Sequence, residues 1–369
     1  MNALLYVKIF YANVKICAFA HENIAFFGSF AQNVNMKTIT INDIARELGL
    51  SRNTVSKVLN GKEMPEKTRK LVLAKATEMN YKQLSGETNK QYRFLLLSAK
   101  PLTNINFFIP IIRQVENSCF EKGYQLFQYV CNQKENEKYL QDYINDLDID
   151  GLICIETFQA DFIEKILNFN IPVVFLDGAV DSKQTYDIVV QDNYKTIKEE
   201  VSRLIDSGIK SFGFVGDIKH CMSFNNRYEA MLSETGKRDI YHDSSMDFLF
   251  EDGSDFYNDI SKMLIEIRKK KTLCEAYVCA NDFIARKFIN ALALLHKYCP
   301  RDVKIIGFDN STEAVSSKPY ITTSGVDSSE LGEMLLSTLI LRIKNPGRAK
   351  IKIVVNTTLI RHDSTQTIF

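Results

Sequence analysis

A group of hydrogen-bond donors lies within one short polar segment near residue 55. Arg52, Asn53, Ser56 and Lys57 fall in this segment, interleaved with valines. Arginine or lysine suits guanine, and asparagine suits adenine, when a side chain enters the major groove of DNA. The residue types therefore predict a surface that reads DNA. The pattern alone leaves one alternative open, which is a small helical domain that binds protein and has an ordinary solvated polar face.

Three short helices would position these donors. Apolar residues within Ile41–Leu48 recur at the spacing of one helix face, and a glycine follows them, as is typical of a helix end. Ser51 can cap a second helix over Arg52–Leu59. A third helix begins at Pro65, where a first helical turn tolerates proline. Two helices joined by a three-residue turn, with a third closing the core, predict a helix-turn-helix domain over residues 36–81.

The residues of this segment are more specific than a bare helix-turn-helix. The segment resembles the DNA-binding domain of the LacI/GalR family of bacterial transcriptional repressors. The resemblance rests on Thr40-Ile41-x-Asp43-Ile44-Ala45, Gly49-Leu50-Ser51, Thr54-Val55-Ser56-Lys57-Val58-Leu59-Asn60-Gly61 and Lys67-Thr68-Arg69. It implies a small all-α helix-turn-helix domain followed by an α/β core of two Rossmann-like lobes, of the periplasmic-binding-protein type.

The resemblance also implies which residues of the head touch DNA. Arg52 and Asn53, at the start of the recognition helix, would read base edges. Lys57 stands where the family usually has a base-reading arginine, and lysine keeps the charge but lacks the bidentate fork. Four further residues match positions that hold phosphates and set the register on DNA. These residues are Thr40, Ser51, Thr54 and Asn60.

The charge distribution agrees with a separate DNA-binding head. The whole chain has 369 residues and a net charge of +1. Residues 36–90 carry 11 Lys/Arg and 6 Asp/Glu, whereas residues 91–369 carry a net charge of −5. A basic head on an acidic body is typical of a DNA-binding module joined to a part that does not touch DNA.

The remaining composition points to a cytoplasmic protein without a metal or cofactor. The eight cysteines are scattered with no Cys-x-x-Cys pair, and the five histidines show no metal-ligand spacing. Residues 1–35 are aromatic-rich, but charged and polar side chains interrupt every apolar stretch that could span a bilayer. Because family members usually start just before the Thr-Ile-x-Asp-Ile motif, we expect Met36 to be the start and residues 1–35 to be a non-native or disordered extension.

The rest of the chain alternates strands and helices in two successive series, one from about residue 93 and one from near residue 188. Such alternation predicts parallel sheets covered by helices on both faces. By resemblance to periplasmic sugar-binding proteins, the core over residues 93–369 would have two lobes and three crossings between them. The first lobe would take residues 93–189 and 327–346, including a helix over Leu331–Ile343. The second lobe would take residues 190–324 and 350–363, including a strand over Ile351–Val355.

The same resemblance implies a set of effector-binding residues in the cleft between the lobes. The set combines two aromatic residues after the first strand with polar residues that follow later strands or begin helices. Its members are Phe107, Phe108, Asp177, Arg227, Asn281, Asp282 and Asp309. Each has a structural alternative: Arg227 and Asp282 could pair across the cleft, Asp309 could form a turn or cap, and Phe107 could belong to the core.

The linker over residues 82–92 departs from the family. Many relatives have a hinge helix here, whose leucine wedges into the minor groove at the centre of the operator. Lys90 occupies the wedge position in this chain, and Gly86 weakens any helix. Either the hinge helix is absent or Leu84 replaces the wedge. We therefore expect weaker operator bending than in relatives that have the hinge.

The sequence as a whole predicts a ligand-responsive transcriptional regulator, and a repressor in particular. It would bind a palindromic double-stranded DNA operator as a homodimer and sense a small sugar-like metabolite. The alternative is a sugar-binding receptor of the transport type with the same core, and the head weighs against it. An enzyme is not expected, because the chain has no Walker motif, no Gly-x-Gly-x-x-Gly and no coherent nucleophile–base set.

Overall fold

The computed structural model describes residues 39–59, 64–79, 81, 91–98, 105–131, 137–156, 159–250 and 260–366. The chain divides into two compact units, Met1–Lys90 and Gln91–Phe369. The predicted extension over residues 1–35, the residue Asn60 and linker residues 82–90 lie outside the described part. No described helix is long and apolar enough to cross a membrane.

The first unit contains the three helices that the sequence predicts. They are α1 (Ile41–Leu48), α2 (Arg52–Leu59) and α3 (Glu66–Glu78). Pro65 is the N-cap residue of α3, so this helix begins one residue later than predicted. The helices close on a small apolar core in which Ile44, Val55 and Val72 are fully buried.

Local hydrogen bonds define the turn between α1 and α2. Gly49 ends α1 with φ of 63°, a left-handed conformation that glycine adopts without a Cβ clash. Ser51 Oγ accepts a hydrogen bond from the backbone N–H of Thr54 at 3.0 Å, which is the predicted cap of α2. At the start of α1, the carboxylate of Asp43 accepts from both the backbone N–H and the hydroxyl of Thr40, at 2.9 and 2.7 Å.

Residues 93–191 of the second unit supply a first series of alternating strands and helices. These elements are β1 (Arg93–Ser98), α4 (Ile105–Glu121), β2 (Gln125–Val130), α5 (Glu137–Asp146), β3 (Gly151–Ile155), α6 (Ala160–Leu167), β4 (Val173–Leu176) and β5 (Asp187–Gln191). Phe107 and Phe108, the aromatic residues expected after the first strand, lie in the first turn of α4.

Residues 195–315 supply the second series. These elements are α7 (Lys195–Asp206), β6 (Phe212–Gly216), α8 (Met222–Lys237), β7 (Phe248–Leu249), α9 (Ile260–Lys269), β8 (Ala276–Cys279), α10 (Asp282–Leu294), β9 (Lys304–Ile306) and α11 (Thr312–Val315). Four final elements follow, β10 (Thr323–Gly325), α12 (Ser328–Lys344), β11 (Lys352–Val355) and β12 (Thr358–Ile360). Residues 251–259, which precede α9 in the chain, lie outside the described part.

The strands form two parallel sheets, one in each lobe. The first-lobe sheet has the order β11-β5-β4-β3-β1-β2, and the second-lobe sheet has the order β7-β6-β8-β9. Alternate residues of β1 enter different apolar clusters, Phe94 with Leu96 in one and Leu95 with Leu97 in the other. The first sheet is therefore covered on both faces, as continuous apolar strands require. Strands β10 and β12 pair antiparallel with each other as a small separate sheet.

Helix α12 returns to the first lobe, as the sequence predicts. It packs along α4, where a Cβ on Gly332 would stand 2.6 Å from the carbonyl oxygen of Ile111. Only glycine therefore allows the two helices to approach this closely. Its residues Leu331 and Leu335 are fully buried in the same apolar cluster as Ile111.

The predicted lobe assignment of the strand at Ile351–Val355 is wrong. Strand β11 pairs in parallel with β5, Lys352 opposite Ile188, and so belongs to the first lobe. Strand β5 also extends to Gln191, which moves the first crossing beyond the predicted boundary at residue 189. The resemblance implied a strand here, but its partner strand lies more than 160 residues away in the chain. The crossings lie between β5 and α7, between β10 and α12, and between β11 and β12.

Candidate nucleic-acid interface and ligand cleft

Helix α2 separates its apolar and polar residues onto different faces. Val55 and Val58 are buried in the core of the head, whereas Arg52, Asn53 and Lys57 are exposed. The three exposed side chains are those predicted to read base edges. They follow the tight turn at the start of the helix, where a recognition helix presents its first residues to DNA.

The predicted phosphate-binding residues lie at the amino ends of α1 and α2. Thr40 and Ser51 are exposed, and Thr54 is half-buried. Helix amino ends attract anions, because backbone N–H groups there lack intrahelical partners. Ser51 and Thr54 also bond to each other through their hydroxyls at 2.8 Å, so the same residues shape the turn. Asn60, the fourth predicted phosphate contact, lies outside the described residues.

A cleft of about 530 Å³ opens between the two lobes of the core. The first turns of α4 and α12 line one side, and the loop after β9 lines the other. The lining residues are Asn106, Phe107, Pro110, Asp309, Asn310, Ser311, Thr312, Gly325, Val326, Asp327, Ser328, Glu330, Asn356, Thr358 and Ile360. This volume is within the range of small-molecule sites in proteins.

Two of the seven predicted effector residues line this cleft. Phe107 presents a half-buried ring to it, and Asp309 lies buried at its base. The neighbouring ring of Phe108 meets Phe107 edge-on, with centroids 5.1 Å apart, but it packs into the first-lobe core. Asp309 and Asn310 form a left-handed turn, with φ of 96° and 50°, and the cap of α11 is the next residue, Ser311.

Arg227 is buried behind Asp309 and does not line the cleft. Its Nε donates to Asn193 Oδ1 at 2.8 Å, Nη1 donates to the carbonyl of Ala280, and Nη2 lies 3.3 Å from Asp309 Oδ1. The guanidinium also stacks over the ring of Phe308, with 3.7 Å to the centroid. The pairing of Arg227 with Asp282, which the sequence left open, is replaced by a pairing with Asp309. Burial raises the pKa of Asp309, and Arg227 opposes that rise.

Asn281 and Asp282 have structural partners at the start of α10. Asn281 Oδ1 accepts from the backbone N–H of Ile284 at 2.9 Å and so caps the helix. Asp282 is completely buried, and its Oδ2 accepts from the backbone N–H of Ser311 and from the hydroxyl of Thr323, both at 2.9 Å. Neither residue lines the cleft. Burial, with a further contribution from the negative charge of Asp309, raises the pKa of Asp282 well above its ordinary value.

Asp177 connects the lobes instead of lining the cleft. It directly follows β4 and has a φ of 62°, and its Oδ1 accepts from the backbone N–H of Ser223 at 3.2 Å, in the first turn of α8. The backbone N–H of Met222 donates to the carbonyl of Gly178 at 2.8 Å beside it. A second connection runs from Asn106 Nδ2 on α4 to Glu313 Oε1 on α11 at 2.6 Å. These hydrogen bonds hold the two lobes together.

Several cleft residues carried no signal in the sequence that would single them out. Asn106, Glu330 and Asn356 are polar residues near the ends of regular elements, a position shared by many side chains of the chain. Asn310 could have been found, since it follows Asp309 directly at the carboxyl end of a strand, where α/β folds bind ligands. The others become neighbours only after the chain has crossed between the lobes.

An Asp282→Asn variant is expected to be stabilised relative to the parent chain as the pH rises. A carboxyl whose folded pKa is raised contributes stability below its unfolded pKa, near 3.8, and loses it as the pH passes through the folded pKa. The amide keeps an acceptor for Ser311 and Thr323 but cannot ionise. Denaturant unfolding from about pH 5 to pH 8 should show the difference growing by about 1 kcal/mol or more. A difference that does not change with pH would contradict the raised pKa. An Asp282→Leu control, which removes the acceptor, should lose stability at every pH.

Two family models match the chain. Residues 40–83 match the model described as bacterial regulatory proteins of the lacI family. Residues 201–365 match a periplasmic binding protein-like domain. The first match covers the three helices of the head, and the second covers most of the second lobe together with α12, β11 and β12.

Curated relatives extend the similarity over nearly the whole chain. The HTH-type transcriptional repressor PurR of Pasteurella multocida (strain Pm70) is 29% identical over 343 residues, which cover 89% of this chain and 98% of that protein. The PurR repressor of Proteus mirabilis (strain HI4320) is 27% identical over 339 residues, which cover 88% and 96% of the two chains.

Solved structures share the fold. The CelR–cellobiose complex matches with a TM-score of 0.65 and 18% identity, covering 88% of this chain and 99% of that one. The lac repressor dimer bound to operator and the anti-inducer ONPF matches with a TM-score of 0.63 and 18% identity, covering 90% and 100%. Proteins of this family regulate transcription and are not enzymes. From its head, its two-lobed core and its relatives, this chain belongs to the LacI family of bacterial DNA-binding transcriptional regulators.

Proposed function

We propose that the protein is a ligand-responsive repressor that acts in the cytoplasm. It binds a palindromic operator as a homodimer and responds to a small sugar-like metabolite. The observation that carries the proposal is the exposed set of Arg52, Asn53 and Lys57 on α2, directly after a capped turn. Phosphate contacts would supply most of the affinity, and these three side chains would supply the specificity.

A homodimer follows from the size of one recognition helix. A single helix reads only a short half-site, and a two-fold dimer places two helices on two half-sites one turn of DNA apart. The lac repressor neighbour was solved as a dimer on its operator. The same assembly for this chain would require a palindromic site. Because Lys90 occupies the wedge position of the linker, we expect this protein to bend its operator less than relatives that have the hinge helix bend theirs.

The cleft between the lobes is the proposed effector site, with Phe107 and Asp309 as contacts. Two neighbours in the family fold were solved with sugars, one with cellobiose and one with D-xylulofuranose. Hydrogen bonds between the lobes, such as Asp177 to Ser223 and Asn106 to Glu313, would have to adapt when a ligand enters. An effector that binds one arrangement of the lobes more tightly would shift the population of DNA-binding dimers.

A gel-shift experiment tests the proposal. The full chain should retain a labelled duplex that carries the DNA upstream of its own coding sequence, at low salt and in excess of unlabelled non-specific duplex. Retention should weaken steeply as salt rises, since counterions are released when phosphates are contacted. If no duplex is retained at low salt, the regulator proposal fails and the transport-type receptor gains support.

A further inference from the structure

We propose that the effector is a polar molecule with hydroxyl or amino groups and no anionic group. The inference rests on the proposed function of the cleft as the effector site. It follows from the chemistry of the cleft wall, where the described lining residues offer carboxylates, amides and hydroxyls but no lysine, arginine or histidine. Sugar phosphates and sugar acids would therefore be rejected, whereas neutral sugars and amino sugars would be accepted.

Three acidic residues line the cleft, and two of them keep their charge available to a ligand. The negative charge of Asp309 is compensated by the guanidinium of Arg227, whose Nη2 lies 3.3 Å from Asp309 Oδ1. Asp327 is exposed just before the first turn of α12, and Glu330 is exposed within that turn. Hydrogen bonds from the backbone and hydroxyl of Ser329, at 2.9 and 2.8 Å, hold the pKa of Asp327 below its ordinary value, so it stays ionised.

The nearest buried cation cannot serve an anionic ligand. Arg227 directs its donors to Asn193, Ala280 and Asp309, and the ring of Phe308 covers one of its faces. An anion in the cleft would have to displace Asp309 to reach the guanidinium. That exchange would leave the buried carboxylate of Asp309 without its counter-charge, which is strongly unfavourable.

The amino ends of two long helices, α4 and α12, also lie at the cleft and favour negative charge. Each helix end is equivalent to about half a positive charge. At α12 the protein's own carboxylates already compensate this positive end, because Asp327 caps the helix and Glu330 lies in its first turn. At α4, Asn106 is bound to a further carboxylate, that of Glu313. The carboxylates therefore outweigh the helix ends, and the cleft is negative overall.

The uncharged part of the wall suits a sugar ring. Phe107, Pro110 and Ile360 supply an apolar side on which C–H groups can pack, and Phe107 can face an ammonium group through a cation–π contact. Asn106, Asn310 and Asn356 can each accept hydrogen bonds from hydroxyl or amino groups and also donate one. An amino sugar uses all three features, namely the apolar face, the amides and the negative charge.

The test is a thermal-shift and calorimetry panel of matched ligands on the full chain. Each set contains a neutral sugar, its amino derivative, its phosphate and its acid, for example glucose, glucosamine, glucose 6-phosphate and gluconate, repeated for several sugars and disaccharides. Stabilisation is expected only from neutral and amino members. Stabilisation by an anionic member above its neutral partner would overturn the inference, and so would a panel with no stabilising member.

Variants assign the effect to the cleft and to its charge. Asn356→Leu should abolish the shift, whereas Asn225→Ala, outside the cleft, should keep it. Glu330→Lys should lower the preference for an amino sugar over its phosphate by at least about tenfold, since it reverses one nearby charge. Lys100→Ala removes the one basic residue of segment 99–104, between β1 and α4 in the chain, and should leave the preference unchanged. Loss of discrimination in this last variant would contradict the assignment to the lining residues.

The outcome can be separated from that of the proposed function. A ligand of the expected class that binds the cleft but leaves operator affinity unchanged would support the inference and contradict a ligand-responsive regulator. An anionic member of the panel could instead release the operator from the parent chain but not from the Asn356→Leu variant. That result would support a ligand-responsive regulator and overturn the inference.

Discussion

An Arg227→Met variant is expected to unfold with a free energy about 3–5 kcal/mol lower than that of the parent chain. The reason is the carboxylate of Asp309, which is 6% exposed and has Arg227 as its ion-pair partner at 3.3 Å. Methionine can fill much of the space beside Phe308 but cannot compensate a buried charge. Equilibrium denaturation of the full chain measures the loss.

A double variant shows whether charge is the cause. In Arg227→Met with Asp309→Asn, the buried charge is gone, so the combined loss should be smaller than the sum of the single losses by about 0.5–3 kcal/mol. Arg268→Met makes the same substitution at an exposed position of α9 and should cost less than about 1 kcal/mol. Additive losses in the double variant would refute the pairing.

The stability of the Arg227→Met variant should also depend on pH with a defined sign. Arg227 holds down the pKa of Asp309, which burial raises, so its removal raises that pKa further. A carboxyl with a raised folded pKa contributes stability at acidic pH and loses it as the pH rises through the folded pKa. The deficit of the variant should therefore be smallest near about pH 4 and grow toward neutral pH.

An Arg52→Ala variant is expected to lose about 1–3 kcal/mol of operator binding, about 5- to 150-fold in affinity. Arg52 is exposed at the start of α2, and a bidentate contact to guanine would be lost without any change in the buried residues Val55 and Val58. Affinity for unrelated duplex should fall much less. Gel shifts with the operator and with scrambled duplex, at one salt concentration, measure both effects.

Two further variants sharpen this experiment. Lys57→Arg restores the bidentate fork that the family usually carries and should raise discrimination at one base. Arg268→Ala removes the same charge from an exposed position on α9 of the core and should leave operator binding unchanged. Equal losses on operator and scrambled DNA in Arg52→Ala would show that Arg52 contacts phosphate and does not read a base.

The head is the part of the fold that the sequence predicted most closely. The first two helices begin and end at the predicted residues, and Gly49 and Ser51 act as the expected cap residues. Their signals are local: helical periodicity, caps and turn residues depend on neighbours within four positions. The exposed donors Asn53 and Lys57 follow from the same periodicity, because they lie on the side of α2 opposite Val55 and Val58. Arg52 is exposed as the first residue of the helix.

In the core, the sequence predicts the elements but not the long-range contacts between them. Most strands and helices were predicted from sequence patterns, and α12 and β11 from the resemblance. The sheet that β11 joins, the partner of Arg227 and the lining of the cleft were not predicted. Each of these depends on residues 80 to more than 160 positions apart in the chain, such as Arg227 with Asp309 and Ile188 with Lys352. The sequence by itself determined the elements and the DNA-reading helix, since local hydrogen bonds and apolar spacing specify them. Only the tertiary structure decided which polar groups are used up in the buried core and which remain at the cleft for a ligand, because burial and long-range pairing arise only when the lobes pack.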